Sequence, residues 1–236
     1  MGVKLVLKKK PKNVTIIEGF PGLGLVGTIT TEFLTEHLKT EKIGNVLIDD
    51  VPAIVAVHAS KVIEPITIHY NKEYNIVIVH AISLGKGLGW DIADIIQDLA
   101  TQLSAKEIIS IEGVGSMKPT GESAVYYYTT NKKANFAGAQ PLKEGIIVGV
   151  TGALLARRES SKVPITALFA ETTSNLPDSK SSAGIIRVLD SYLKLDVDPK
   201  PLLKQAQQFE EKLKGIMTHA KKTTEEVQKR QPSYFG

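Results

Sequence analysis

The fold is decided by the stretch Gly19-Phe20-Pro21-Gly22-Leu23-Gly24-Leu25-Val26-Gly27, which joins an apolar strand to a helix. The β-branched run before it, residues 14–17, is typical of a strand, and residues 28–38 repeat apolar side chains near helical spacing. Its glycines allow positive φ and a close approach of the backbone. A helix that begins here offers unpaired N–H groups to an anion or a carbonyl. The stretch therefore predicts the first strand-turn-helix unit of an α/β protein.

The same stretch satisfies a dinucleotide-binding pattern, Gly22-x-Gly24-x-x-Gly27, and Asp49-Asp50 follows a second strand at about the expected distance of roughly 20 residues. That pattern needs its first glycine directly at the end of the strand. Here other residues intervene, among them Pro21, which has no N–H to offer a phosphate. We therefore favour a structural role, in which the glycines form a tight turn and let the helix pack closely on the sheet. A nucleotide- or small-ligand-binding α/β enzyme is the alternative.

Composition narrows the functional class. The chain has 236 residues, of which 42% are hydrophobic and 23% charged, as in an ordinary globular protein. No apolar run approaches the roughly 20 residues of a membrane span, and the N-terminus does not resemble a signal peptide, so we expect a cytoplasmic protein that binds no membrane. The absence of cysteine excludes disulfides and thiolate metal sites. The net charge is only +4 and the lysines are not interleaved with aromatic residues, so we expect no nucleic-acid binding.

Apolar runs and helical periodicities alternate along the chain, which predicts an α/β fold with a mostly parallel or mixed central sheet flanked by helices. Residues 62–69 are typical of an antiparallel excursion, and residues 74–80 of a strand buried on both faces. The other predicted strands comprise residues 3–7, 43–48, 51–57, 107–111, 123–129, 145–150 and 164–170, and further helices are predicted over residues 91–103 and 178–193.

Glycine-rich turns follow three of the predicted strands, at residues 19–27, 84–90 and 112–116. The carboxyl ends of parallel strands line one edge of a sheet, where ligands or partners usually bind. Acidic residues at such strand ends can serve as acid and base or hold magnesium, but they more often cap helices and bind backbone amides. A vestigial ligand cleft at this edge would comprise Gly22, Gly24, Gly27, Glu112, Gly113 and Glu171.

No catalytic constellation stands out in the sequence. The five histidines show no ligand spacing such as His-x-x-x-His, so we expect no metal site. No serine lies in a Gly-x-Ser-x-Gly motif, and the phosphate-binding pattern Gly-x-x-x-x-Gly-Lys-Ser/Thr is missing. We therefore expect no catalytic residue, no cofactor and no enzymatic activity.

The C-terminal part of the sequence differs in kind. A boundary at Asp196-Val197-Asp198-Pro199 divides the chain into an α/β core domain, residues 1–198, and a helical extension, residues 199–236. The extension carries an apolar stripe on a charged helix, which would either fold back on its own domain or pack against another subunit. We expect its polar end, residues 218–230, to project from the core until Pro232 ends the helix. The last three residues, Tyr234, Phe235 and Gly236, combine two aromatic rings with a carboxylate. Such an end suits a pocket that carries a lysine, and a frayed terminus is the alternative.

Several motifs together resemble the archaeal branch of the proteasome-assembly-chaperone family, over about residues 14–215. They are the stretch 19–27, the helix entry at Trp90, Ile111-Glu112-Gly113, Gly145-Ile146-Ile147-Val148-Gly149 with Gly152-Ala153-Leu154-Leu155, and Leu168-Phe169-Ala170-Glu171. The resemblance implies an α/β fold similar to that of nucleoside phosphorylases and a homo-oligomer, such as a tetramer or pentamer. It also implies an assembly factor or ATP-independent activator of the 20S proteasome, docking C-terminal segments between its α subunits.

The resemblance implies partner binding by Tyr234, Phe235 and Gly236. The docking motif of the family is a hydrophobic residue, a tyrosine and any last residue, and here Phe235 stands at the tyrosine position without its hydroxyl. We expect docking through apolar contact and the Gly236 carboxylate, without the hydrogen bond of that hydroxyl. Several tails on one oligomer would then act through avidity. An oligomeric scaffold for another small protein, which never meets the proteasome, is a further alternative.

Overall fold

Strands and helices alternate along the chain in this computed structural model, which describes residues 2–49, 56–58, 61–115, 124–172 and 176–204. In these ranges the strands are β1 (Val3–Leu7), β2 (Thr15–Gly19), β3 (Glu41–Ile48), β4 (Ala56–His58), β5 (Lys61–Ile63), β6 (Ile66–Asn71), β7 (Ile76–Ala81), β8 (Glu107–Gly115), β9 (Val125–Thr129), β10 (Gln140–Pro141) and β11 (Ile165–Thr172). The helices are α1 (Val26–His37), α2 (Gly89–Gln102), α3 (Gly149–Ala156), α4 (Ser179–Leu193) and α5 (Lys200–Lys204).

Nine of these strands form one mixed sheet in the order β1-β3-β6-β7-β2-β8-β11-β9-β10. The central strands β7, β2, β8 and β11 run parallel. On one side β6 is antiparallel to both β7 and β3, and on the other β9 is antiparallel to β11. The predicted α/β fold with a mixed central sheet is confirmed, and so is the antiparallel excursion predicted for residues 62–69.

Helices cover both faces of the sheet. Alternate residues of a strand point to opposite faces, and accordingly Ile17 and Ile109 pack with α1 and α4, while Ile16 and Ile108 pack with α2 and α3. Strand β7 is buried at every position, which confirms the prediction of a strand covered on both faces.

The carboxyl ends of β2 and β8 flank a topological switch point. The chain leaves β2 through α1 on one face and reaches β3, whereas after β8 it continues to the opposite side of β2, with α3 on the other face. Such a point is the usual location of a ligand crevice in an open α/β sheet. Any function of the glycine-rich stretch therefore depends on what fills this crevice.

Two local predictions are wrong. Residues 145–150 do not form a strand: residues 142–148 are neither helix nor strand, and α3 begins at Gly149. The apolar side chains of Ile146 and Val148 are 94% and 73% exposed. Their alternating pattern in the sequence therefore does not reflect a strand with one buried face. The turn predicted at residues 112–116 is also wrong for residues 112–115, because these residues continue β8 and pair with β11.

The start of the predicted extension packs on the core. Leu202 of α5 is 2% exposed and joins the apolar cluster of α1 and α4. The predicted helix towards Arg230, Pro232 and the tail residues Tyr234, Phe235 and Gly236 lie outside the described residues, as do Asp50 and most of the strand predicted at 51–57. The domain boundary at residue 198 stays a prediction.

Candidate functional site at the carboxyl edge of the sheet

The turn between β2 and α1 has an unusual backbone. A single 3₁₀ turn, Leu23–Leu25, precedes α1, and both Gly24 (φ 63°) and Leu25 (φ 52°) are left-handed. Glycine adopts this conformation freely, whereas leucine does so at a cost of about 1–2 kcal/mol. Leu25 is 7% exposed and packs in the core, so burial of its side chain offsets that cost.

Protein backbone occupies the space that a side chain would need at three glycines of this region. A Cβ atom on Gly27 would lie 2.7 Å from the carbonyl oxygen of Ile111, and Cβ atoms on Gly19 and Gly113 would overlap the carbonyls of Gly27 and Leu23. The first turn of α1 is therefore pressed against β2 and β8. This is the close packing of helix on sheet that the structural interpretation of the stretch expects.

The carboxylate of Glu112 occupies the remaining space beside the turn. A Cβ atom on Gly22 would overlap Glu112 Oε1. That oxygen accepts a hydrogen bond from the N–H of Gly113 at 3.3 Å, and Oε2 accepts one from Thr151 Oγ1 at 3.4 Å. A phosphate group approaching Gly22 would meet this carboxylate, which is unfavourable for binding an anion.

A second carboxyl group, Glu18, is buried next to Glu112. Glu18 is 1% exposed and pairs in register with Ser110 of β8. Burial raises its pKa to about 8, and the charge of Glu112 acts in the same direction. The nearby Ser110 hydroxyl opposes the increase, although it is hydrogen-bonded to Thr151 Oγ1 at 2.8 Å and neither oxygen of Glu18 has a partner with hydrogen-bond geometry.

Burial also raises the pKa of Glu112, to about 7, against the opposing effect of its bonds from Gly113 and Thr151. Two acids with raised pKa values at a switch point are typical of a functional site, but structural networks produce them too. Ser110 and Thr151 were not recognised as site residues in the sequence. The available signal was a serine inside the otherwise apolar run Ile108-Ile109-Ser110-Ile111.

Five of the six residues predicted to line a cleft come together here: Gly22, Gly24, Gly27, Glu112 and Gly113. The sixth, Glu171, lies on neighbouring β11, where its Oε1 accepts a hydrogen bond from Tyr126 at 3.1 Å. The adjacent Thr172 packs on Gly24, whose Cβ would lie 2.6 Å from Thr172 Oγ1. The protein therefore fills the predicted cleft with its own side chains.

A further polar cluster lies under α1 and was also missed in the sequence. His80 of β7 is 6% exposed; its Nε2 lies 3.0 Å from Glu32 Oε2, and its Nδ1 lies 2.9 Å from Thr31 Oγ1. Both ring nitrogens are thus satisfied by α1, and we assign His80 a structural role. Across the described ranges, no group of three or more His, Asp or Glu residues could hold a metal ion, and no described helix is long and apolar enough to cross a membrane.

Comparison with known proteins identifies the fold. The crystal structure of Pyrococcus furiosus PbaA, described as an archaeal homolog of proteasome-assembly chaperone, matches with a TM-score of 0.82 and 30% identity, over 93% of this chain and 100% of PbaA. Pyrococcus furiosus PbaB, described as an archaeal proteasome activator, shares the fold with a TM-score of 0.73 and 22% identity, over 91% of this chain and 98% of PbaB.

An uncharacterized protein of Methanocaldococcus jannaschii is 25% identical over 239 residues, which cover 99% of this chain and 98% of that relative. The model of the PAC2 family matches residues 16–217. These matches confirm the resemblance to archaeal proteasome-assembly-chaperone homologues. The chain therefore belongs to the PAC2 family, a proteasome-assembly-chaperone-like family.

Proposed function

We propose that this chain is a cytoplasmic, non-enzymatic assembly chaperone or ATP-independent activator, which binds the archaeal 20S proteasome through its C-terminal tails. The observation that carries the proposal is the agreement with PbaA along nearly the whole of both chains. The PAC2 match over residues 16–217 supports it. The partner surface would be the α subunits of the core particle, and the tail residues would be Tyr234, Phe235 and Gly236.

The geometry of the glycine turn supports this function over nucleotide binding. The space next to Gly22 holds the Glu112 carboxylate, and the backbone carbonyls of Leu23 and Ile111 abut Gly113 and Gly27. Opening this turn for a pyrophosphate would break the packing of α1 on β8. The turn is therefore better explained as the structural joint of the fold.

The start of the extension also supports tail-mediated binding. Leu202 is buried beside α4, so α5 holds the end of the described chain, Lys204, against the core. In a homo-oligomer each copy would present one tail, and several weak contacts would combine into strong binding if their spacing matches the pockets.

Substitution of Phe235 tests this proposal. In the full-length protein, Phe235→Ala should weaken binding to archaeal 20S particles by about tenfold or more, because the tail loses one of its two aromatic rings and the effect is repeated in every copy. Phe235→Tyr restores the hydroxyl of the family motif and should bind at least as well as the natural chain. Binding is measured by biolayer interferometry, with hydrolysis of a fluorogenic peptide followed in parallel.

Ser233→Ala is the matched control and should leave binding unchanged. Tail-dependent binding with faster hydrolysis identifies an activator, and tail-dependent binding alone an assembly or holding factor. Equal binding by the Phe235→Ala variant would contradict the role of the tail. If no variant binds the particle, the proteasome proposal is wrong, and calorimetric titration with ATP and NAD then tests the nucleotide-binding alternative.

A further inference from the structure

The floor of the switch-point crevice, between the carboxyl ends of β2 and β8, carries the carboxyl group of Glu18. This side chain is 1% exposed, and neither of its oxygens has a hydrogen-bond partner. Its neighbours across the sheet are Val79 of β7, which is apolar, and Ser110 of β8. The Ser110 hydroxyl is already hydrogen-bonded to Thr151 Oγ1 at 2.8 Å. The cost of burying Glu18 is therefore not compensated by hydrogen bonds.

Glu112 lies above Glu18, at the mouth of the crevice. Because Ser110 is the register partner of Glu18, Glu112 lies two residues further along β8, towards the carboxyl edge and on the same face of the sheet. It is half-buried, and its charge contributes to raising the pKa of Glu18. The crevice thus presents two carboxyl groups in succession, one at the mouth and one at the floor.

No counter-charge accompanies this pair of acids. In the part of the chain that the structure describes, no lysine, arginine or histidine forms an ion pair with either of them. His80 of β7 lies on the other face of the sheet, where it contacts Glu32 of α1. Arg157 of α3 pairs with Asp94 of α2. Two neighbouring acids without a counter-charge favour a cation that comes from outside the chain.

The groups that line the crevice favour an ammonium group over a metal ion. An ammonium group donates three hydrogen bonds and accepts none, and the two carboxyl groups and the hydroxyls of Ser110 and Thr151 can all accept. A divalent metal ion needs about six oxygen ligands, whereas no group of three acidic or histidine side chains within the described ranges could hold one.

The mouth of the crevice limits the shape of the ligand. Glu112 Oε1 occupies the space that a side chain on Gly22 would need, so the turn and the carboxylate lie close together. A planar guanidinium group is broad and rigid. An ammonium group on a slender alkyl chain therefore fits this mouth better.

We propose that the switch-point crevice binds an alkylammonium group, with its nitrogen held between the carboxylates of Glu112 and Glu18. The ligand is a free amine or a lysine side chain of another protein, since both present the same group. The ammonium ion replaces the proton of Glu18, so binding releases a proton to the solvent. The inference goes beyond the proposed function and does not depend on the C-terminal tail.

Isothermal titration calorimetry of the full-length protein with butylammonium chloride tests this site. At about pH 7, below the Glu18 pKa of about 8, butylammonium should bind with a heat that depends on the buffer, because the buffer takes up the released proton. Its affinity should increase as the pH rises towards 8. Tetramethylammonium has no N–H to donate and should bind at least about tenfold more weakly. Sodium chloride at the same concentration is the reference.

Substitution of either acid locates the site. Glu18→Gln keeps the shape without the charge and should weaken butylammonium binding by about tenfold or more. Glu112→Gln should have an effect in the same direction, and it provides the test if the Glu18 variant does not fold. Glu73→Gln is the matched control, because Glu73 is exposed in the turn between β6 and β7, and it should leave binding unchanged. Circular dichroism checks that the variants fold.

Two further probes distinguish the sources of the ammonium group. Tighter binding of Nα-acetyl-lysine amide than of putrescine would assign the site to a lysine of a protein partner, and the reverse order would assign it to a free amine. Absence of butylammonium binding, equal binding of tetramethylammonium, or unchanged affinity in a folded Glu18→Gln variant would each overturn the proposal. Magnesium that displaces butylammonium at lower concentration would overturn it in favour of a metal site. None of these results depends on whether the protein binds the 20S particle.

Discussion

At the scale of single residues, the two buried acids at the switch point differ in how their burial is compensated. Glu112 accepts hydrogen bonds from Gly113 and Thr151, while Glu18 has no partner with hydrogen-bond geometry. Desolvation penalises the charged form of an acid, and the pKa of about 8 for Glu18 means that the folded protein holds it protonated at neutral pH. Glu18 therefore links folding to proton binding.

This linkage predicts how stability depends on pH. The pKa of Glu18 rises from its ordinary value of 4.5 to about 8 on folding, so the folded state binds more protons than the unfolded state between these values. The contribution of Glu18 to the free energy of unfolding is then fully present below about pH 4.5 and is lost as pH rises towards 8. Glu18→Gln keeps the shape without the charge, so its urea-unfolding free energy should fall less between pH 5 and 8 and exceed that of the natural protein at pH 9.

The exposed Glu73→Gln substitution is the control for the Glu18 experiment and should not alter the pH dependence. Glu112, with its pKa raised to about 7, contributes a slope of the same sign, so the Glu18→Gln variant retains part of the decline. A variant whose stability falls with pH as steeply as that of the natural protein would show that Glu18 is ionised in the folded state.

At the scale of elements, β8 contacts both the 3₁₀ turn Leu23–Leu25 and the first turn of α1, and these contacts leave no room for a side chain at Gly113 or Gly27. The side-chain position of Gly113 is blocked by the carbonyl of Leu23, whereas a Cβ atom on Gly115, two residues further along the same strand and face, would meet only Leu23 Cδ2 at 3.7 Å. Backbone cannot move aside as a flexible side chain can. The two glycines of β8 should therefore differ strongly in their tolerance of a methyl group.

Alanine substitution measures that difference. Gly113→Ala should lower the free energy of unfolding by about 1–3 kcal/mol, because the methyl group meets the Leu23 carbonyl and forces the 3₁₀ turn before α1 away from β8. Gly115→Ala in the same strand should change it by less than about 0.5 kcal/mol. Urea unfolding of both variants at one protein concentration provides the comparison, and equal effects would refute the close contact of the Leu23 carbonyl with β8 at Gly113.

At the scale of the whole molecule, the proposed function requires that the α/β core hold the start of the C-terminal extension in place. The core supplies a nine-stranded sheet with helices on both faces. The joint is α5, whose Leu202 is buried in the cluster of α1 and α4. Substitutions in α5 can therefore be designed without changing the tail residues proposed to bind the partner.

Substitution of Leu202 tests the joint. Leu202→Asp places a charge in the apolar cluster and should release α5 from α4. Amide hydrogen exchange in α5 should then accelerate at least tenfold, because the local opening becomes much less costly. The exposed Lys204→Asp substitution is the control and should leave exchange near the natural rate. Unchanged exchange in the Leu202→Asp variant would contradict the anchoring of α5.

The alternation of strands and helices could be predicted from the sequence because each element leaves its own local pattern of apolar residues. The β-branched run at residues 14–17, the apolar run of β7 and the helical periodicity of α2 all reflect burial of an element on one or both faces. The order of the motifs also identified the family. The residues of the glycine turn were predicted to meet at one edge because parallel strands end together.

Contacts between distant parts of the chain decided which predicted strands form and what fills the crevice at the switch point. The apolar alternation at Ile146 and Val148 looks like a strand in sequence, yet residues 142–148 pair with no strand of the sheet and both side chains are exposed. The glycine pattern fits a phosphate in sequence, yet Glu112, more than eighty residues away, fills the space beside Gly22. Local periodicity is set by an element's own burial, whereas the occupant of a crevice is set by which side chains the topology brings to it.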